Sequence, residues 1–403
     1  MNFSDAGYMF TNHIYGLSEE NRMNRIRRMQ QMLEAEKVDF ALFIGRGFSG
    51  IATWFTGLPN PEFPDAGNGA FILPVQGELI DVGGNALLTE EYLKTLKTYD
   101  VIQPPHAEVA HLIGMGGFSG KQMRGLVGAN RRVGVINGEQ MRANLADYLA
   151  AELPNCELVD LTVQALRVMA EKSTEELEAE RLCAKCLDHT FSALPLALQE
   201  GKTERVAVVK LRRDLLDFGA AGQEIAHIMP VWLTSAQQDG AAEAQPVAYP
   251  GRRFQDGDRI NVSTIPALYS DYRVGLGRCF TLGGATEETK RFWAAAAAAQ
   301  QAAENKLRDG VRLGDILQAA DAAFASSGVA ARFACRIHEI GYEAVPLEDA
   351  KYRLCEGMTL VIAAEVQPEG QDAYCCMDTF AVEKEKGVRL TETPREIIEM
   401  QNF

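Results

Sequence analysis

The segment GDRINVSTIPALYSDYRVGLGRCF, residues 257–280, has the shape of two catalytic strands joined by a turn. Its only acids are Asp258, beside the opening glycine, and Asp271, in the turn. Strands that hold divalent cations or activate water usually carry several oxygen or nitrogen donors, and these carry few. Other residues can do chemistry. His338 suits proton transfer near neutral pH. Arg273 and Arg336 can each hold a substrate carboxylate by two parallel hydrogen bonds, or form surface ion pairs. Glu343, Glu365 and Asp378 can bind a cationic group, since an inward carboxylate needs a partner. Cys279, Cys375 and Cys376 offer thiols, as nucleophiles if ionised and as small hydrophobes if buried. Trp232 and Tyr272 can line a pocket or fill a core. The single pair in CAKC, residues 183–186, falls short of a four-ligand zinc site. GMGGFSG, residues 114–120, lacks the ending and the strand-to-helix context of a phosphate loop.

Those residues must be positioned by regular elements. Residues 18–38 read as a charged amphipathic helix with Ser18 as its cap. Buried strands follow at 39–45 and within 67–84, then a helix at 88–99 and strands at 100–104 and 131–137, with a helix at 138–153. Alternating strands and helices predict an α/β domain. The texture then changes. A long helix begins at the capping box Ser173 to Glu176 and is expected to run to Gly201. Helices at 203–219 and 286–310 and another before residue 335 surround strands at 257–282, 358–367 and 374–392. Helices outside and antiparallel strands inside predict an α+β domain. The expected boundary gives a first domain of residues 1–165 and a second of 166–403.

Composition bounds the function. The chain has 403 residues, 47% hydrophobic, enough for two cores. A formal net charge of −15 repels phosphates, which argues against nucleic-acid and anionic-membrane partners. No apolar run reaches the roughly 20 residues that span a bilayer. Eight scattered cysteines fit reduced thiols. The expectation is a cytoplasmic protein.

In order along the chain, LRVMAEKSTEELEAERLCAKC, GDRINVS, YRVGLGRCFTLG, HEIG, EGMTLVIAAE and MDTFAV resemble the pita-bread family of methionine aminopeptidase, prolidase, aminopeptidase P and creatinase. The resemblance covers nearly the whole chain. It implies a creatinase-like two-domain α+β protein: an α/β N-terminal domain, a pita-bread C-terminal domain and a homodimer. The family's usual site holds two metal ions on two Asp, one His and two Glu. Carried over singly, those positions are Ser263, Gly275, His338, Ala363 and Met377. Only the histidine is kept. Arg278 keeps the arginine of the family's R-T-F segment. The resemblance therefore implies no metal cofactor and favours the creatinase branch, a metal-independent hydrolase of a C–N bond in a small amino-acid-like, guanidino or amide substrate. His338 would be catalytic. Arg273, Arg278, Arg336, Glu343, Glu365, Asp378, Trp232 and Tyr272 would bind substrate. Creatine itself fits poorly, because Ala244 and Val345 stand where that branch has histidines. Two alternatives stand beside this reading: a catalytically inactive binding protein in the same cleft, and an Xaa-Pro dipeptidase with an atypical metal site.

Overall fold

The computed structural model describes residues 18–44, 54–55, 70–77, 79–81, 99–101, 132–138, 156–217, 231–237, 252–268, 272–342 and 344–401. The expected helices at 88–99 and 138–153, apart from Tyr99 and Gly138, lie outside those residues, as do the loop at 114–120, Asp271 and Glu343. The chain divides into two compact units, residues 15–169 and residues 170–403 with the N-terminal segment 1–14.

The smaller unit opens with α1 (Glu19–Ala35), whose N-cap Ser18 accepts from the backbone N–H of Asn21. Ile26, Met29 and Leu33, at helical spacing, are buried. The strands are β1 (Phe40–Ile44), β2 (Ala70–Pro74), β3 (Leu79–Asp81), β4 (Tyr99–Val101), β5 (Arg132–Ile136) and β6 (Glu157–Asp160). They form one mixed sheet in the order β4-β3-β2-β1-β5-β6. β1 runs antiparallel to β2 and parallel to β5. The unit closes in α2 (Thr162–Ala170).

In the larger unit α3 (Thr174–Ala193) carries the expected capping box, with the Glu176 carboxylate accepting from Ser173 N–H at 2.8 Å. It stops eight residues before Gly201. Pro195 has no N–H to continue the ladder, so the chain tightens into one 3-10 turn, Leu194–Leu196. α4 (Glu204–Asp217) follows. Next come β7 (Val231–Gln237), β8 (Asp258–Thr264), β9 (Leu276–Leu282), α5 (Glu287–Glu304) and α6 (Leu313–Ser326). The chain ends in β10 (Arg332–Ile340), β11 (Ala344–Pro346), β12 (Thr359–Gln367), β13 (Tyr374–Val382), β14 (Gly387–Arg389) and β15 (Ile398–Met400). The sequence reading assigns no element to β6, α2, β7, β10, β11 or β15.

The nine strands make one curled sheet, with the path β11-β10-β12-β13-β9-β8-β7, β14 on β13 and β15 parallel to β9. One face packs on α5 and α6. Its core joins Ala299, Ala303, Leu313 and Ile316 of the helices to Ile337, Ile362, Ala364 and Phe380 of the sheet. The poly-Ala run is this contact: alanines let α5 lie close to the sheet. Buried Gln300 reaches through to donate to the carbonyl oxygens of Ile362 and Cys376. The opposite face carries the candidate site.

Candidate active site

Period-two alternation decides which residues meet. Ser263 of β8 lies opposite Gly277 of β9 and Trp232 of β7. Gly277 also lies opposite Met377 of β13, which faces Ala363 of β12, which faces Arg336 of β10. One rung of the ladder thus joins most of the family's ligand positions. It forms the floor of a cavity of about 330 Å³. Trp232, Thr234, Asn261, Ser263, Ile265, Arg336, His338, Ala363, Glu365, Asp372, Ala373, Cys375 and Met377 line it.

The family's metal pair is tested by this donor set. Ser263, Gly275, His338, Ala363 and Met377 supply one imidazole and one hydroxyl. The wall there is apolar instead: Ile265, Val361, Ala363 and Met377 pack with Ile340. At Gly275 an added Cβ would come within 2.6 Å of Val361 Cγ2, so an aspartate there has no room beside that valine. At Gly277 it would lie 2.9 Å from the Cys375 carbonyl oxygen and 3.1 Å from Ser263 Cβ. Glycine at 277 therefore lets β8, β9 and β13 approach closely. Hard divalent cations need several anionic oxygens. The residues do not fit a two-metal centre, and among the described residues no group of three or more His, Cys, Asp or Glu is placed to hold a metal ion.

His338 projects from β10 into the cavity, half-buried, across from Val361. Its Nδ1 has no hydrogen-bond partner among the described residues. Burial, and then the positive charge of Arg336, pull its pKa below the usual imidazole value. The imidazole is therefore neutral at pH 7 and able to accept a proton. Arg336 and Glu365, two of the expected substrate-binding residues, pair with each other at 3.3 Å on the wall of this cavity. Burial raises the Glu365 pKa, and Arg336 opposes that shift. Trp232, also on the expected list, is half-exposed at the mouth.

Four expectations need correction. Arg278 lies on the other face, fully buried, with Nη2 2.6 Å from Asp378 Oδ1. Its remaining donors reach the carbonyl oxygens of Pro394, Gly277, Met377 and Thr393. Asp378 is equally buried and also pairs with Arg395 at 3.0 Å. The odd spacing of Arg278 and Asp378 from the cavity-facing residues sends both to the helix-packed side, where they tie strands to the C-terminal segment. Tyr272 is buried and donates to Glu176 at 3.0 Å while accepting from Tyr342. Arg273 donates to the Tyr342 carbonyl oxygen, outside the cavity lining. The thiols do not supply a nucleophile: burial pushes Cys279 and Cys376 up to about 12 and raises Cys375 as well.

Asn261, Thr234 and Asp372 are cavity residues that sequence reasoning passes over. Asn261 stands two residues before Ser263, so strand alternation was signal enough. Asp372 sits in the turn before β13, where no pattern marks it.

The fold places the chain in a class, the two-domain pita-bread proteins. The sequence matches the profile of Metallopeptidase family M24 over residues 177–393, and the chain belongs to that family. It is 24% identical over 271 residues to the Xaa-Pro dipeptidase of Pyrococcus horikoshii, spanning 66% of this chain and 72% of that one. Among solved structures it superposes on the Xaa-Pro dipeptidase from Bacillus anthracis with TM-score 0.76 at 15% identity, covering 94% of this chain and 100% of that one. The prolidase from Thermococcus sibiricus gives 0.75 at 19%, covering 93% and 98%. At such identities the structures establish the fold.

Proposed function

We propose that this chain hydrolyses a C–N bond in a small amino-acid-like or amide substrate, using His338 in place of a metal pair. The observation that carries the reading is an imidazole, its pKa lowered chiefly by burial, facing a small cavity in which the family's other ligand positions carry no carboxylate. In the reaction His338 takes a proton from water as the oxygen adds to the carbonyl carbon. The C–N bond breaks, and the proton passes to the leaving nitrogen. Of the polar groups that line the cavity, Arg336 and Asn261 hold the substrate in this reading. Family membership supports hydrolysis, and the names of the similar dipeptidases support a substrate of dipeptide size or less. The reading includes a homodimer, as the resemblance implies, which sedimentation tests.

The deciding experiment assays purified protein on Xaa-Pro dipeptides and small amides, with chelator and with added manganese. The expected result is turnover that chelator does not change and His338→Ala abolishes. Because His338 titrates below the usual imidazole value, kcat/KM should rise through a pKa under about 6.5 and then stay flat. Dipeptide cleavage lost to chelator and restored by metal would instead assign an Xaa-Pro dipeptidase with rebuilt ligands, the reading the relatives' names favour. Ligand stabilisation without product would assign a binding protein.

A further inference from the structure

We propose that the substrate carries a cis amide edge, as a lactam, imide or ureide ring does, and that Asn261 is the residue that reads it. The proposal rests on the hydrolase reading for the reaction, though not for the binding. Asn261 lies on the cavity wall and is 7% exposed. Both its Nδ2 and its Oδ1 lack a hydrogen-bond partner among the described residues. Burying an amide with neither end paired is unfavourable, and native structures rarely do it without a functional reason. Its cross-strand neighbour Thr234 is exposed, as is Trp232. Both polar atoms are closed off in the ligand-free chain, so reading a ligand requires a side-chain movement at Asn261 or its neighbours.

The asparagine side chain presents a donor and an acceptor along one edge. A ligand completes both only if its own C=O and N–H lie on the same side. Lactams, imides and ureides meet that condition. A trans secondary amide points the two groups in opposite directions and satisfies one. The tertiary Xaa-Pro amide has no N–H for Oδ1. Arg336 supplies a second anchor: its side chain is 62% exposed and its contact with Glu365 is long at 3.3 Å, which leaves donors for a ligand carboxylate. The cavity volume of about 330 Å³ suits one substituted ring. On hydrolysis the water oxygen joins the ring carbonyl carbon, the ring C–N bond breaks and the nitrogen gains a proton. The single product is an open-chain amino acid from a lactam, an amide acid from an imide or a ureido acid from a ureide, and no oxidant or co-reactant besides water is required.

The test measures thermal shift and calorimetric affinity of the full chain with 5-oxoproline, dihydroorotate, their ring-N-methyl forms and Ala-Pro. The expected result is binding of at least one parent ring acid and a loss of about tenfold or more on N-methylation. Asn261→Leu should remove that discrimination. The N-methyl comparison changes the ligand, so it stands even if a variant folds poorly, and Asn261→Asp, which replaces the amide donor by an ionisable oxygen, is a second variant. Equal binding of parent and N-methyl forms overturns the proposal. So does binding of Ala-Pro in preference to every ring acid, or no ring binding at all. Ring binding with discrimination but no ring opening keeps the role of Asn261 and removes the hydrolase reading.

Discussion

Asn261→Leu should make the ligand-free protein more stable, an unusual sign for a substitution at a buried position. The amide is 7% exposed and neither of its polar atoms is paired among the described residues. Relative to water, such burial costs about 1–3 kcal/mol. Leucine has nearly the same size and removes both orphaned atoms, and its surroundings include the apolar cavity wall at Ile265 and Met377. A gain of about 1–3 kcal/mol follows, which for a unit of this size is roughly 2–10 °C in Tm. The assay is urea unfolding of wild type and variant, read as a shift in midpoint at constant m. Asn261→Asp is the contrast. It buries an ionisable group whose folded pKa is raised, so its stability deficit is small at pH 4 and grows as pH rises through that pKa. An unchanged or lowered midpoint for Asn261→Leu would refute the reasoning, because it would mean that the amide already has partners in the free protein.

Three further outcomes test the structure. Gly275→Asp should lower stability by about 1–3 kcal/mol and bind no manganese by calorimetry, because its Cβ meets Val361 at 2.6 Å and the other ligands are missing. Arg278→Ala should cost about 3–5 kcal/mol in urea unfolding, since it strips a buried ion pair and its carbonyl contacts. Glu180 is buried, accepts from Thr359 at 2.9 Å and has its pKa pushed up to about 8, chiefly by burial. It stays protonated in the folded chain while the unfolded carboxyl ionises near 4.5, so stability should fall as pH rises from about 4.5 to 8. Glu180→Gln should flatten that fall in unfolding measured across the same range.

The cap at Ser18, the capping box at Ser173 and Glu176, and the alanine-rich helix were legible because each is a local pattern whose energy lies within one turn of chain. The ordered motifs from Lys172 to Asp378 carried the fold family for the same reason: each is a short run, and their order survives divergence. The two faces of the sheet were less legible. Arg278 and Asp378 read as substrate ligands because a charged residue in a motif looks the same whichever way it points. Strand parity and pairing register sent them to the helix-packed side. β7 went unassigned although it brings Trp232 and Thr234 to the cavity.

The sequence by itself determined which atoms are available: one histidine, no acids at four of the family's ligand positions, and an asparagine two residues from one of them. Only the tertiary structure decided what those losses became. Whether the vacated space stayed open or closed over depended on neighbours distant in sequence. Val361 stands against Gly275, and Met377 against Ala363. Whether Asn261 found a partner depended on its cross-strand neighbours Thr234 and Cys279 and on the curl of the sheet. Side-chain chemistry is fixed by residue type, but its partners are fixed by packing, and packing is a property of the whole sheet.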